Sequence, residues 1–260
     1  MAKKNATTFF CSECGYESPG WMGKCPGCGA WNTLVETRTV TGSGKNAAPG
    51  GRGWLDQQIV GTQGAASEIE PQDLTGVRAD RVSRVTSGLP EFDRVLGGGF
   101  VPGSLVLVGG DPGIEKSTLL LQACGANGFK GATLYICGEE SPGQVKLRAA
   151  RLGISRGGIK LYPEIIFERI SQTILKLKPD LVIIDSIQTV YSSELTAAPG
   201  SVSQIRDVAA GFLRLAKGLG CTEVLVGHVT KDGDIAGPRF WSTWWTRFST
   251  LKAKATAASA

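Results

Sequence analysis

The stretch VGGDPGIEKSTLLLQ, Val108 to Gln122, decides how this chain is read. The apolar run from Ser104 to Val108 has the character of a buried strand. It stops at Gly109 and Gly110, bends at Pro112 and Gly113, and passes through Lys116, Ser117 and Thr118 into a leucine-rich helical start. Strand, glycine-rich turn and helix are the parts of a phosphate-binding loop. Backbone N–H groups face an anion, the helix N-terminus adds positive potential, and a lysine reaches the outer phosphates. The candidate nucleotide-binding residues are therefore Gly110, Asp111, Pro112, Gly113, Ile114, Glu115, Lys116, Ser117 and Thr118, with Ser117 placed to hold Mg²⁺. One position breaks the pattern. The motif wants glycine immediately before the lysine, and Glu115 stands there. The Glu115 side chain has two courses: to rotate to solvent or, because a carboxylate is favourable at a helix N-terminus, to fold back over the anion hole as a tethered competitor.

Outward from the loop the chain alternates. Ser87-Gly88-Leu89-Pro90 opens a predicted helix over Glu91 to Leu96, ended by Gly97, Gly98 and Gly99. Beyond the loop come strands at Ala132 to Cys137, Leu181 to Asp185 and Cys221 to Val226. Between them lie helices from Ser141 to Leu152, Ile165 to Lys176 and Val202 to Lys217. This order predicts an α/β fold, a parallel sheet flanked by helices on both faces, whose ligand sites gather at the carboxyl ends of the strands. Asp185, Glu139 and His228 lie at such ends with the loop. Asp185, after four apolar residues, fits the acid that orients Mg²⁺ through water, or else a helix N-cap. Glu139 or Glu140 can polarise an attacking water, with Glu139 nearer the strand end; the alternative is a solvated loop acid. His228, the only histidine, fits a γ-phosphate sensor or a capped strand-end side chain. Lys231 fits a contact to a nucleic-acid phosphate or an ordinary turn charge.

Ahead of this core, Cys11, Cys14, Cys25 and Cys28 form two C-x-x-C pairs on tight turns. Two such knuckles complete a closed tetrahedral Cys₄ zinc site, structural rather than catalytic, and metal binding supplies the folding energy that so small a module lacks. Trp21 and Trp31 are expected to pack over the site, the alternative being to stack on a base. The domain reading is a zinc ribbon over 1–36, a flexible Gly/Ala/Ser/Gln-rich linker over 37–80 with Trp54 isolated in it, a core over 81–239, and a tail over 240–260. Cys124, Cys137 and Cys221 read as core thiols. Of the 260 residues 42% are hydrophobic and 20% charged, and no apolar run approaches the length of about 18 that a membrane span needs. Met1 to Thr8 lacks the apolar segment of a secretory signal, and with reduced-looking cysteines this points to the cytosol. The net charge of +5 owes much to Arg247, Lys252 and Lys254 in the tail, so it says little about nucleic acid.

Taken together, the paired cysteines within GYESPGWMGKCPGCGAWNTLVE, then GGDPGI-KST, YICGEES, KPDLVIIDSIQTVYS, PGSVSQIRDVA and VGHVTKDGDIAGP resemble the bacterial RadA, or Sms, family of DNA repair. The match runs from Phe9 to about Arg239 outside the linker. The resemblance implies a RecA-like fold and a DNA-dependent ATPase, with Lys116, Ser117 and Asp185 binding ATP and Mg²⁺ and Lys116 assisting catalysis. It implies Glu139 as the catalytic acid and His228 to Gly233 as the start of the loop that couples ATP to single-stranded DNA. It further implies a ring-forming homo-oligomer in the bacterial cytoplasm. Such a protein works beside RecA recombinase on branched intermediates and drives their branch migration.

Glu115 is one departure from the family. The other begins after Arg239, where the family continues Val-Leu-Glu-His-Met-Val-Asp-Thr-Val and this chain reads FWSTWWTR. A one-base shift of reading frame turns codons for Leu-Glu-His-Met-Val-Asp-Thr-Val into Trp241 to Arg247. The tail therefore reads as a frameshift product, its aromatic residues accidental, and is expected to lack a partner and leave a sheet edge uncovered. Two hypotheses follow. One is a repair ATPase impaired by Glu115 and the altered tail; the other is a zinc-ribbon module that binds DNA or a repair partner on an inert core. A DnaB-like or KaiC-like relative shares the core, but the Cys₄ ribbon and the TKDGD stretch argue against it.

Overall fold

The computed structural model describes residues 7–11, 16–27, 29–38, 55, 73–75, 84–126, 128–155, 157–195, 197–228 and 248–250. Three short antiparallel strands, β1 (Thr7–Cys11), β2 (Glu17–Ser18) and β3 (Leu34–Arg38), form one sheet in the order β2-β1-β3. The second sheet is built from β4 (Leu105–Gly110), β5 (Thr133–Cys137), β6 (Ile159–Tyr162), β7 (Leu181–Asp185), β8 (Thr222–His228) and β9 (Phe248–Thr250). Its order is β6-β5-β7-β8-β4-β9 and every pairing is parallel. The loop strand β4 and the acid-bearing strand β7 are thus not neighbours, because β8 runs between them.

Alternate residues of β4, β5, β7 and β8 feed separate cores, as the two-residue period of a pleated strand demands. Leu105, Leu107, Leu134, Ile136, Val182, Ile184 and Leu225 pack against two helices, α4 (Phe167–Leu177) and α5 (Val202–Leu219). Val106, Val108, Tyr135, Cys137, Leu181, Ile183, Val224 and Val226 face α1 (Pro90–Leu96), α2 (Lys116–Gly125) and α3 (Pro142–Arg151). The helix ends carry their own signals. Pro90 sits in the first turn of α1 and Gly97 caps its C-terminus in the left-handed region. Ser141 and Gln144 close a reciprocal capping box on α3. Among the described residues no helix is long and apolar enough to cross a membrane.

Close packing sets one strict requirement on the α4–α5 face. A Cβ on Gly211 would lie 2.3 Å from Cζ of Phe167, a ring that is fully buried and packed edge-on against Phe212 at 5.0 Å between centroids. Gly211→Ala would gain about 1 kcal/mol of helix propensity elsewhere. Here it forces two rings to shift, and a net loss of roughly 1–2 kcal/mol of stability is expected from overpacking, read as a lowered denaturant midpoint. An unchanged midpoint would show that the Phe167 ring has room to move.

Three sequence expectations meet a different outcome. Ile159–Tyr162, assigned to no element, is the edge strand β6 beside β5. Leu55, inside the expected linker, is fully buried in the α4–α5 core, because an isolated leucine docked on that face removes apolar surface from water. Phe248–Thr250, expected to lack a partner, pair with Leu107, Val108 and Gly109 of β4 and cover what would otherwise be an open edge. Trp54 and Trp241 to Arg247 lie outside the described residues.

Candidate functional site

The loop between β4 and α2 turns at Gly113, φ 85°, and enters the helix through Glu115 at φ 59° and ψ 30°. That conformation is left-handed, open to glycine without cost and strained for any residue with a Cβ. Glycine is wanted before the lysine for backbone shape as much as for space. At Gly113 an added Cβ would meet nothing within 4 Å, so the mouth of the loop is open. The Glu115 carboxylate does not fold back over the loop amides. Its Oε2 accepts from the Thr118 hydroxyl on the first turn of α2, and it makes no side-chain cap on the helix N–H groups. A hydroxyl one turn along the helix competes with the amide cradle for the same carboxylate, and it wins.

Lys116 is only 5% exposed. Its Nζ spans the loop, donating to Gly110 O at 2.8 Å and Asp111 O at 2.7 Å. Burial pushes its ammonium below the usual lysine range, while Glu139, Asp185 and Asp111 pull it back up. Asp185 ends β7 opposite Cys137 on β5. Its Oδ2 accepts from the Tyr135 hydroxyl at 2.5 Å. Burial raises this carboxyl above the ordinary aspartate range, hydrogen bonds from Tyr135 and Ser117 oppose the rise, and Glu139 and Glu140 add to it. The two glutamates after β5 part company. Glu139 accepts from the hydroxyl of Ser186, a fully buried residue, whereas Glu140 pairs with Arg148 on α3.

The structure therefore brings Lys116, Ser117, Asp185 and Glu139 to one end of the sheet. The Ser117 hydroxyl and the Asp185 carboxylate are hard oxygen donors that meet each other, a donor set suited to Mg²⁺. A lysine ammonium and an open glycine loop suit a polyphosphate. His228 is in register with Gly110 across the β4–β8 pair, beside the loop; Lys231 lies outside the described residues. Sequence reasoning missed Tyr135 and Ser186. A tyrosine in an otherwise aliphatic buried strand is itself a signal, since its hydroxyl must find a partner.

In the first sheet, Cys11 and Cys25 are both 1% exposed. Each donates its backbone N–H to the carbonyl five residues on: Cys11 N–H to Tyr16 O at 2.9 Å and Cys25 N–H to Ala30 O at 2.8 Å. Two buried thiols with matching backbone bonds suit a soft ion such as Zn²⁺. Cys14 and Cys28 lie outside the described residues. Trp21 and Trp31 do not pack over this centre. They are 58% and 69% exposed and flank Gly23, and Lys24 Nζ lies 5.7 Å from the Trp31 ring. A three-stranded sheet this small offers too little surface to cover two indoles.

Comparison with known proteins agrees with this geometry. The family described as "Rubredoxin metal binding domain" matches residues 9–36, and the family described as "AAA domain" matches residues 70–234. The DNA repair protein RadA of Bacillus subtilis is 49% identical over 237 residues, covering 91% of this chain and 49% of its own length. RadA of Halalkalibacterium halodurans is 50% identical over 240 residues, covering 92% and 50%. The chain spans about half the length of these curated relatives. The solved KaiC-like protein PH0186 of Pyrococcus horikoshii is 23% identical with a TM-score of 0.50, covering 62% of this chain and 77% of that one, a likeness of fold alone. By the match over residues 70–234, the chain belongs to the AAA domain family, and it is a homologue of the bacterial RadA proteins.

Proposed function

We propose that the chain descends from a DNA-dependent ATPase of recombinational repair and retains that ATPase's site in impaired form. The observation that carries this reading is the convergence of Lys116, Ser117, Asp185 and Glu139 at the carboxyl ends of three parallel strands. Mg²⁺ bound with ATP would neutralise phosphate charge and polarise the terminal phosphoryl group. Lys116 would exchange its two loop carbonyls for phosphate oxygens. Ser117 and Asp185 would hold the ion, Asp185 through water. Glu139, released from the Ser186 hydroxyl, would orient the attacking water and accept its proton. His228 and Lys231 would relay the state of the terminal phosphate to a strand of DNA. On the family resemblance, single-stranded and branched DNA would be the substrates, RecA recombinase the companion and the bacterial cytoplasm the setting, with the ring an assembly of the intact family. Zn²⁺ would be held by Cys11, Cys14, Cys25 and Cys28 as a structural ion.

A second reading has its own support. Trp21 and Trp31, exposed on either side of Gly23 with Lys24 beside them, favour a ribbon that contacts DNA or a repair partner while the core stays inert. An ATPase assay with and without single-stranded DNA separates the two. Slow turnover that single-stranded DNA accelerates, and that Lys116→Ala abolishes, is expected on the first reading. DNA binding with no turnover above the Lys116→Ala background overturns it in favour of the second.

A further inference from the structure

We infer that Tyr135 is a positioning residue for the Mg²⁺ site, fixing the Asp185 carboxylate through a buried hydrogen bond; this rests on the ATP reading above. Tyr135 is fully buried and lies on β5 opposite Ile183. On parallel strands in this register, Asp185 is its neighbour two residues along on the same face, within reach of a long aromatic side chain. The phenol spans that diagonal and donates to Asp185 Oδ2 at 2.5 Å. Its body packs in the core shared with Val108, Leu120, Leu121 and Cys137.

A phenylalanine would fill that space equally well. A hydroxyl taken out of water costs stability unless it is bonded, and the described partner of this one is the carboxylate. Asp185 is 7% exposed, and Ser117 is the other side chain that donates to its carboxylate. One of its oxygens is held from the core side by Tyr135. The carboxylate is thereby kept from rotating and stays aimed toward Ser117, the other residue of the ion's donor set. Outer-shell donors to a direct ligand commonly contribute tenfold or more to metal affinity; Asp185 reaches the ion through water, so its own donor contributes less.

Tyr135→Phe removes the hydroxyl and keeps the ring. A fluorescent ATP analogue is titrated into the full chain and the variant in EDTA and across a Mg²⁺ series. The Mg²⁺ concentration at half-effect should rise about threefold in the variant, below the tenfold typical of donors to a direct ligand, with affinity in EDTA unchanged. An unmoved Mg²⁺ midpoint overturns the inference. Equal weakening with and without Mg²⁺, or a collapse of the thermal midpoint, also overturns it, because the hydroxyl would then serve the fold. If the analogue binds the native chain too weakly to titrate, the same pair is compared in a Glu115→Gly background. Absence of binding in both backgrounds overturns the ATP reading itself and this inference with it.

Discussion

Glu115→Gly is expected to strengthen nucleotide binding by roughly one to three orders of magnitude. The Coulomb term sets the upper end: two unit charges about 4 Å apart at an effective dielectric near 20 repel by roughly 4 kcal/mol, about a thousandfold in affinity. The lower end follows from where the carboxylate lies. Glu115 is exposed and bonded to Thr118 on the first turn of α2, so solvent screens it. The substitution also removes the strain of a side chain at φ 59°, worth roughly 1–2 kcal/mol for a left-handed residue. A rise in thermal midpoint should accompany the gain in affinity. Titrating a fluorescent ATP analogue into both proteins is the measurement, and equal dissociation constants would show that the glutamate does not limit the loop.

The other large effect lies in the ribbon. One Zn²⁺ per chain is expected, and Cys25→Ser should abolish it and unfold the β1–β3 sheet. The reason is one of scale: the buried apolar cluster there is Cys11, Cys25 and Leu34, with Phe9 packed against it. Zinc in such modules contributes about 10 kcal/mol or more, far beyond what those side chains supply. Native mass spectrometry should find the ion in the parent and none in the variant. Amide spectra should lose the ribbon signals and keep those of the parallel sheet, which shares no strand with it. A parent chain that stays metal-free with two disulfides after reducing purification would falsify the zinc reading.

The core was legible because buried parallel strands are written as unbroken apolar runs. Leu181–Asp185 reads as a strand ending in an acid, and it is one. β6 was not, since an edge strand covered on one side carries Lys160 between Ile159 and Leu161 and follows two glycines. The cysteine spacing concealed the three short strands around it, and it could not tell that the tryptophans stay exposed. Glu115 was visible as a broken motif; its left-handed backbone and its bond to Thr118 were not. The hydrogen bonds that organise the site were the least accessible. Tyr135 meets Asp185 from 50 residues away and Ser186 meets Glu139 from 47, and only the strand order decides which of many distant hydroxyls lands beside which acid.

Glu115 occupies the conformation that glycine would choose, and this bears on reversibility. The loop has kept its shape around the wrong residue, with Lys116 still bridging Gly110 and Asp111. The side-chain contact a returning glycine gives up is the bond from the Thr118 hydroxyl. In the genetic code the glutamate codons GAA and GAG differ from glycine codons by their middle base alone. A population selected for nucleotide binding would therefore find its revertant one point mutation away, with no compensating change needed elsewhere in the loop.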